Sequence, residues 1–143
     1  MKIKEKDTQI LDALRKGEDV NAVAQHFKLP KSTVYYHLAK MKKAGFIKGV
    51  RVSMDYEPTS EHRAALVLVS LSKTNLKDVK TFEDEIEKNK MVSDMYGVTG
   101  NWDFLLIIHG TKDQITKFIM ETVQAMPNVS RTHSLFIMKH LEL

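Results

Sequence analysis

The sequence predicts an α+β chain, with an N-terminal helix-turn-helix domain followed by a βαββαβ domain built on an antiparallel sheet. Three observations carry this expectation. Apolar residues recur at helical spacing through the first third of the chain, and from Arg63 onward strand-like and helix-like patterns alternate. Charge divides along the same line: residues 1–51 hold 12 Lys+Arg against 5 Asp+Glu, while residues 52–143 hold 10 against 13. The stretch between them, residues 55–61, is polar and carries Pro58, as a linker should. The expected division is residues 1–48 for the helix-turn-helix domain, 49–62 for a hinge strand and linker, and 63–143 for the second domain.

Composition narrows the function. No apolar run approaches the ~20 residues needed to span a bilayer. The first six residues, Met1 to Lys6, lack an apolar segment, which predicts no signal peptide. With no cysteine in the chain, disulfide scaffolds, thiol catalysis and zinc fingers are excluded, and a cytoplasmic location fits. The histidines (His26, His37, His62, His109, His133, His140) are scattered without metal-ligand spacing. A phosphate-binding glycine loop and a nucleophile elbow are both missing. The expectation is a protein that is not an enzyme, with no cofactor and no metal. The net +7 of the first 51 residues is instead an electrostatic footprint for phosphate.

Residues 7–16 read as a first helix, with Ile10, Leu11 and Leu14 apolar and Gly17 ending it. Val20, Val23, Ala24 and Phe27 then recur at i, i+3, i+4 and i+7, a short second helix closed by Lys28-Leu29-Pro30. In the third helix Val34, Leu38 and Met41 form an apolar stripe, and the opposite side carries Ser32, Thr33, Tyr36, Lys40 and Lys43. Pro30 sets its start, Ser32 or Thr33 is the expected N-cap, and Gly45 the stop. A helix face of hydroxyls, a phenol and lysines, without a carboxylate, suits a DNA major groove. The DNA-binding residues expected on this helix are Lys31, Ser32, Thr33, Tyr36, His37, Lys40 and Lys43. Residues 46–54 alternate apolar with polar and predict a short strand.

The second domain begins with residues 64–71, a strand apolar on both faces. Residues 78–88 form an amphipathic helix with Val79, Phe82 and Ile86 inward and an acidic outer face. Residues 92–98 alternate as a strand, and residues 102–109 are again apolar on both faces. Thr111 and Gln114 have capping-box spacing and open a helix that aligns Ile115, Phe118, Ile119, Val123 and Met126. Pro127-Asn128 breaks it, and residues 129–141 form the last strand. Helices on one side leave the other side of such a sheet open. Two strands apolar on both faces therefore predict a lid, and a second copy of the chain is the expected one. A two-fold dimer also suits palindromic double-stranded DNA.

Two groups of residues carry a family likeness. In the N-terminal half they are Asp7, Ile10-Leu11, Leu14, Ala24, Ser32-Thr33-Val34 and Gly45-Phe46-Ile47-Lys48-Gly49. In the C-terminal half they are Gly97-Val98-Thr99-Gly100-Asn101-Trp102-Asp103-Phe104-Leu105-Leu106 and Val129-Ser130-Arg131-Thr132-His133-Ser134, the more specific set. On these residues the chain resembles the Lrp/AsnC (feast/famine) family of transcriptional regulators along nearly its whole length. The resemblance implies a winged-helix-like DNA-binding domain and a ferredoxin-like (RAM/ACT-like) domain for dimerisation and effector sensing. It further implies dimers assembling to octamers, with amino-acid effectors in crevices between dimers. Carried over residue by residue, the effector site is Gly100, Asn101, Trp102 and Asp103 with Thr132 and Ser134. A carboxylate can take an α-ammonium, and hydroxyls and turn N–H groups an α-carboxylate. Gly100-Asn101 is equally a hairpin turn in its own right, with Asp103 as its cap. Two departures stand out: His37 occupies a place where the family often has arginine, and the linker lacks the usual glycine after the hinge strand.

Two alternatives use the same residues differently. A winged-helix repressor of another type, ArsR-like or MarR-like, suits residues 32–38, but such proteins dimerise through helices and this second domain is strand-rich. A siroheme-decarboxylase-like enzyme shares the overall plan, and His62-Arg63 stands near the expected place, without the rest of that motif.

Overall fold

The computed structural model describes residues 3–52 and 61–141, which fall into two compact units. The first is a three-helix unit: α1 (Glu5–Arg15), α2 (Val20–His26) and α3 (Lys31–Lys43). Its core joins Ile10 and Ala13 of α1, Val23 and Ala24 of α2, and Val34 and Met41 of α3, all buried, with Leu11, Leu14, Phe27, Leu38 and Ile47 packed around them. The apolar spacing read from the sequence is what puts these side chains on facing stripes.

Each of the three helices ends in the same way. The N–H of Glu18 donates to Ala13 O and that of Gly17 to Leu14 O; Leu29 and Lys28 do likewise to Ala24 O and Gln25 O, and Phe46 and Gly45 to Met41 O and Lys42 O. This is the Schellman pairing, which needs a left-handed residue just past the helix. Gly17 (φ 93°) and Gly45 (φ 80°) supply it without strain. Between α2 and α3 the residue is Lys28 (φ 51°), the non-glycine exception among the described residues.

Two local expectations are corrected. Pro30, not Ser32 or Thr33, is the N-cap of α3, and no side chain caps that helix; the Pro30 carbonyl accepts from the N–H groups of Thr33 and Val34. Proline at this place already fixes the backbone ahead of the first turn. Residues 46–52 form no strand, and Val50 and Val52 are exposed at 93% and 84%. Alternation alone cannot make a strand without a ladder partner, and none stands beside it among the described residues. The remainder of the expected hinge strand and most of the linker lie outside the described residues.

The second unit runs β1 (His62–Leu71), α4 (Leu76–Glu87), β2 (Val92–Gly97), β3 (Phe104–Thr111), α5 (Lys112–Phe118) and β4 (Val129–Phe136). The expected βαββαβ plan is present. The sheet order is β2-β3-β1-β4 and every pairing is antiparallel. Asn75 caps α4 by accepting from Asp78 N–H, and the Thr111–Gln114 capping box opens α5 as its spacing predicts. The last helix does not run uniformly to Met126: after Phe118 it continues as a π-helical turn, Ile119–Val123, with Gln124 N–H donating to Ile119 O at 2.8 Å. That wider turn keeps both Ile119 and Val123 on the core side. The final strand ends at Phe136, short of residue 141.

One face of the sheet, with Ala65, Val67, Val69, Leu106 and Ile108, is sealed by Phe82 and Ile86 of α4 and Ile115 and Phe118 of α5. The alternate residues of β1 and β3 (Leu66, Leu68, Leu105 and Ile107) lie on the other face and are only partly buried. Register places Leu135 opposite Leu66 and Tyr96 opposite Leu105 on that same face, and these are 47% and 52% exposed. Among the described residues no helix is long and apolar enough to cross a membrane.

Candidate nucleic-acid interface and effector turn

Helix α3 is amphipathic for a physical reason set by its neighbours. Val34 and Met41 are fully buried, and Leu38 packs beside them against α1 and α2. The side turned to solvent carries Lys31, Ser32, Tyr35, Tyr36, Ala39, Lys42 and Lys43, all exposed. Of the residues expected to meet DNA, Lys31, Ser32, Tyr36 and Lys43 stand on this outer surface and Thr33 at its margin. Tyr35, Ala39 and Lys42 also stand there and are absent from the expected set.

His37 and Lys40 are placed differently from that expectation. Both turn toward Asp7 of α1, the one charged residue buried among the described residues. His37 Nδ1 lies 2.6 Å from Asp7 Oδ1, and Lys40 Nζ lies 3.8 Å from Asp7 Oδ2. The same Oδ2 accepts the N–H of Lys4 at 3.0 Å, closing the first turn of α1. Only 15% of the His37 side chain and 26% of the Lys40 side chain reach solvent. The His37 hydrogen bond, helped by the Lys4 N–H and the Lys40 charge, holds the Asp7 carboxyl below its usual range despite burial. The face of α3 lacks a carboxylate in its own sequence, but α1 lends it one from beneath. Nothing in the spacing of residues thirty apart announces this contact.

The second candidate site is the turn before β3. Gly100 has φ 106°, a conformation for which glycine is suited, and Val98 N–H donates to Asp103 O at 2.9 Å to close the turn. Asp103 is also fastened sideways to β1: its Oδ2 accepts the N–H of Leu71 at 2.7 Å and the hydroxyl of Ser70 at 3.4 Å. Trp102 lies under the Arg131 guanidinium, 4.4 Å from the ring centroid, and that guanidinium donates to Asn101 O at 2.8 Å. Cation–π contact and hydrogen bond together tie the turn to β4.

The expected effector residues do not converge as a single cluster within one chain. In β4, Thr132 pairs with Val69 and Ser134 with Val67, so both hydroxyls share the helix side of the sheet. Arg131 pairs with Ser70 and His133 with Leu68, on the open side, where Trp102 meets Arg131 and lies 6.2 Å from His133. The two-residue period of a strand makes this separation unavoidable. Thr132 Oγ1 is moreover occupied by Gln124 Nε2 at 2.8 Å. Arg131, absent from the expected set, is the residue that holds the turn, and its place beside Thr132 was the available signal.

Comparison with known proteins places both units. Residues 64–142 match the family model of the Lrp/AsnC ligand binding domain. Residues 6–48 match the helix-turn-helix model of bacterial regulatory proteins of the arsR family. Among characterised relatives, the HTH-type transcriptional regulator LysM of Sulfurisphaera tokodaii is 27% identical over 140 residues, covering 96% of each chain. The HTH-type transcriptional regulator AldR of Mycolicibacterium smegmatis is 27% identical over 139 residues, 94% of this chain and 81% of its own. Of solved structures, a transcriptional regulator of Neisseria meningitidis in complex with L-Met superposes with a TM-score of 0.80 at 20% identity, covering 99% of this chain and 94% of that one. Escherichia coli AsnC does so at 0.74 and 20% identity, covering 100% and 97%. These relatives are regulators of transcription and not enzymes.

Proposed function

The chain belongs to the Lrp/AsnC family and is a helix-turn-helix transcriptional regulator of that type; from this premise we propose that it binds double-stranded DNA sequence-specifically through α3 and is modulated by an amino acid or a related small molecule. The observation that carries the DNA-binding half is the outer face of α3, which exposes hydroxyls, two phenols and lysines with no carboxylate of its own. Lys31, Lys43 and the partly exposed Lys40 serve the phosphates, and Ser32, Thr33 and Tyr36 the base edges. His37, drawn to Asp7, contributes mainly by holding α3 in place.

The open face of the sheet supports a homodimer. Leu66, Leu68, Leu105, Ile107 and Leu135 form one apolar surface whose natural cover is the same surface of a second copy. A two-fold dimer reads two half-sites about one helical turn apart, so the operators are palindromic, and dimers assemble further toward octamers. For the effector, Gly100, Asn101, Trp102 and Asp103 supply the turn, with Thr132 and Ser134 on the neighbouring strand. The division of these residues between two sheet faces favours a crevice completed by another subunit. The L-Met complex of the Neisseria regulator supports an amino-acid ligand for this fold. Residues 1–48, 49–62 and 63–143 then act as reader, hinge, and dimerisation and sensing domain.

The test is duplex binding across a salt series. Each phosphate neutralised adds about −0.9 to the slope of log affinity against log salt. Lys43→Ala is expected to weaken binding to every sequence and to flatten that slope by about one contact. A flat salt dependence in the wild-type chain would refute the assignment.

A further inference from the structure

We propose that Tyr35 and Ala39 are specificity-determining residues that read the methyl groups of thymine in the major groove. The inference rests on the reading of α3 as the DNA-facing helix and adds what that helix reads. On a 3.6-residue wheel Ser32, Ala39 and Lys43 fall within one stripe about 40° wide, opposite the buried Val34 and Met41. Tyr35 and Tyr36 flank the stripe on either side, 59% and 65% exposed. The centre of the outward surface is therefore an alanine between two phenol rings.

The chemistry of that surface is restrictive. Bidentate pairing to guanine needs Arg or Lys, pairing to adenine needs Asn or Gln, and acceptance from cytosine needs Asp or Glu. Between Ser32 and Ala39 none of these side chains stands on the outward surface; the lysines lie at its ends, at Lys31, Lys42 and Lys43. What the first two turns offer is hydroxyls and apolar carbon. The thymine C5-methyl is the apolar group that a base pair presents in the major groove, and alanine and aromatic side chains are among its contacts. The short side chain of Ala39 lets the backbone of α3 approach the bases, which brings the ring edge of Tyr35, one turn nearer the N-terminus, into the groove. Burying an exposed aromatic edge against a methyl removes apolar surface of both from water.

The experiment selects duplexes from a randomised pool with the full chain, then replaces one thymine at a time by uracil. That change deletes the methyl and leaves base pairing intact. The expected result is a loss of about fourfold in affinity at each contacted thymine, the worth of one buried methyl group. Tyr35→Ala abolishes the uracil penalty at one position of each half-site, and Tyr35→Phe, which keeps the ring, retains it. Ala39→Gln abolishes the penalty at a second position and shifts preference there toward adenine. Salt-dependent binding that is indifferent to uracil, or a full uracil penalty in Tyr35→Ala, overturns the assignment while leaving α3 as the reading helix. Failure of the wild-type chain to bind any duplex overturns both.

Discussion

Asp7 Oδ1 and His37 Nδ1 lie 2.6 Å apart, a contact that bolts the first turn of α1 to the middle of α3. At this point polar chemistry, not apolar packing, fixes the recognition helix. Asp7 is fully buried and also holds Lys4 N–H and Lys40 Nζ, so removing its carboxylate strands three donors. His37 and Lys40 can still turn to water, which limits the damage. Asp7→Ala is expected to destabilise the chain by about 1–3 kcal/mol, read as a lower urea midpoint. A variant within 0.5 kcal/mol of wild type, a bound of ordinary surface substitutions, would show that apolar packing alone places α3.

The same carboxyl gives an acid limb to stability. Its value in the fold is depressed below the ordinary 3.8, first by the His37 hydrogen bond. The stabilisation is therefore complete above the unfolded-state value and is lost as pH falls from there through the folded-state value. The Asp7→Asn variant is expected to flatten stability against pH below about 4 relative to wild type. Parallel acid limbs in wild type and variant would assign the acid sensitivity to other carboxylates.

Lys28 occupies a left-handed position (φ 51°) in the turn between α2 and α3, where the other two helices of the unit use glycine. The Cβ of a lysine is strained there, and the Schellman pair around it fixes the conformation. Lys28→Gly is expected to stabilise the chain by about 0.5–1 kcal/mol, allowing for glycine's greater unfolded-state freedom. A destabilised variant would mean that the lysine stem makes contacts worth more than the strain.

What could be read from the chain and what could not follow from the range of the interactions. The Thr111–Gln114 box, the Gly17 and Gly45 stops and the doubly apolar strands are local signals, and the fold realises them. Ser32 and Thr33 are the better cap residues by type, but Pro30 already sets the geometry ahead of the first turn of α3. The alternation at residues 46–52 suggested a strand, but a ladder needs a partner that local pattern cannot supply. On spacing alone the outward face of α3 extends to Lys40, but the buried Asp7 of α1 draws His37 and Lys40 inward and leaves Tyr35 and Ala39 at the front. The resemblance groups Thr132 and Ser134 with Trp102, whereas register sends the two hydroxyls to the side of the sheet opposite Arg131, which Trp102 meets.

Leu68 stands at the centre of the open sheet face, paired with Leu105 on one side and His133 on the other. In a monomer a lysine there could extend into water at little cost. Across a two-fold interface it would bury two like charges in apolar surroundings. Leu68→Lys is expected to turn a wild-type dimer or larger assembly into monomers, or to lower solubility, by light scattering. A wild-type chain that scatters as a monomer, or a variant assembling as before, would remove this face from the interface.

Asp103 offers a way to separate the two roles of the turn. Leu71 N–H and Ser70 Oγ both donate to Oδ2, while Oδ1 takes no hydrogen bond among the described residues. Oδ1 is therefore the atom able to face an α-ammonium, and Oδ2 the atom that fastens the turn to β1. Asparagine keeps an acceptor for the Leu71 N–H but removes the negative charge. Asp103→Asn is expected to stay within about 1 kcal/mol of wild-type stability while losing the heat of amino-acid binding. Asp103→Ala loses both, since the Leu71 N–H is then left unpaired in a partly buried place. Because a ligand shifts DNA affinity only by its differential binding to the two states, the Asn variant should bind DNA like the unliganded wild type with or without the amino acid. Calorimetry over a panel of amino acids, followed by duplex binding with the one that binds, reads each quantity separately. An undiminished binding heat in Asp103→Asn would place the α-ammonium elsewhere and leave the Gly100–Asp103 turn a structural element alone.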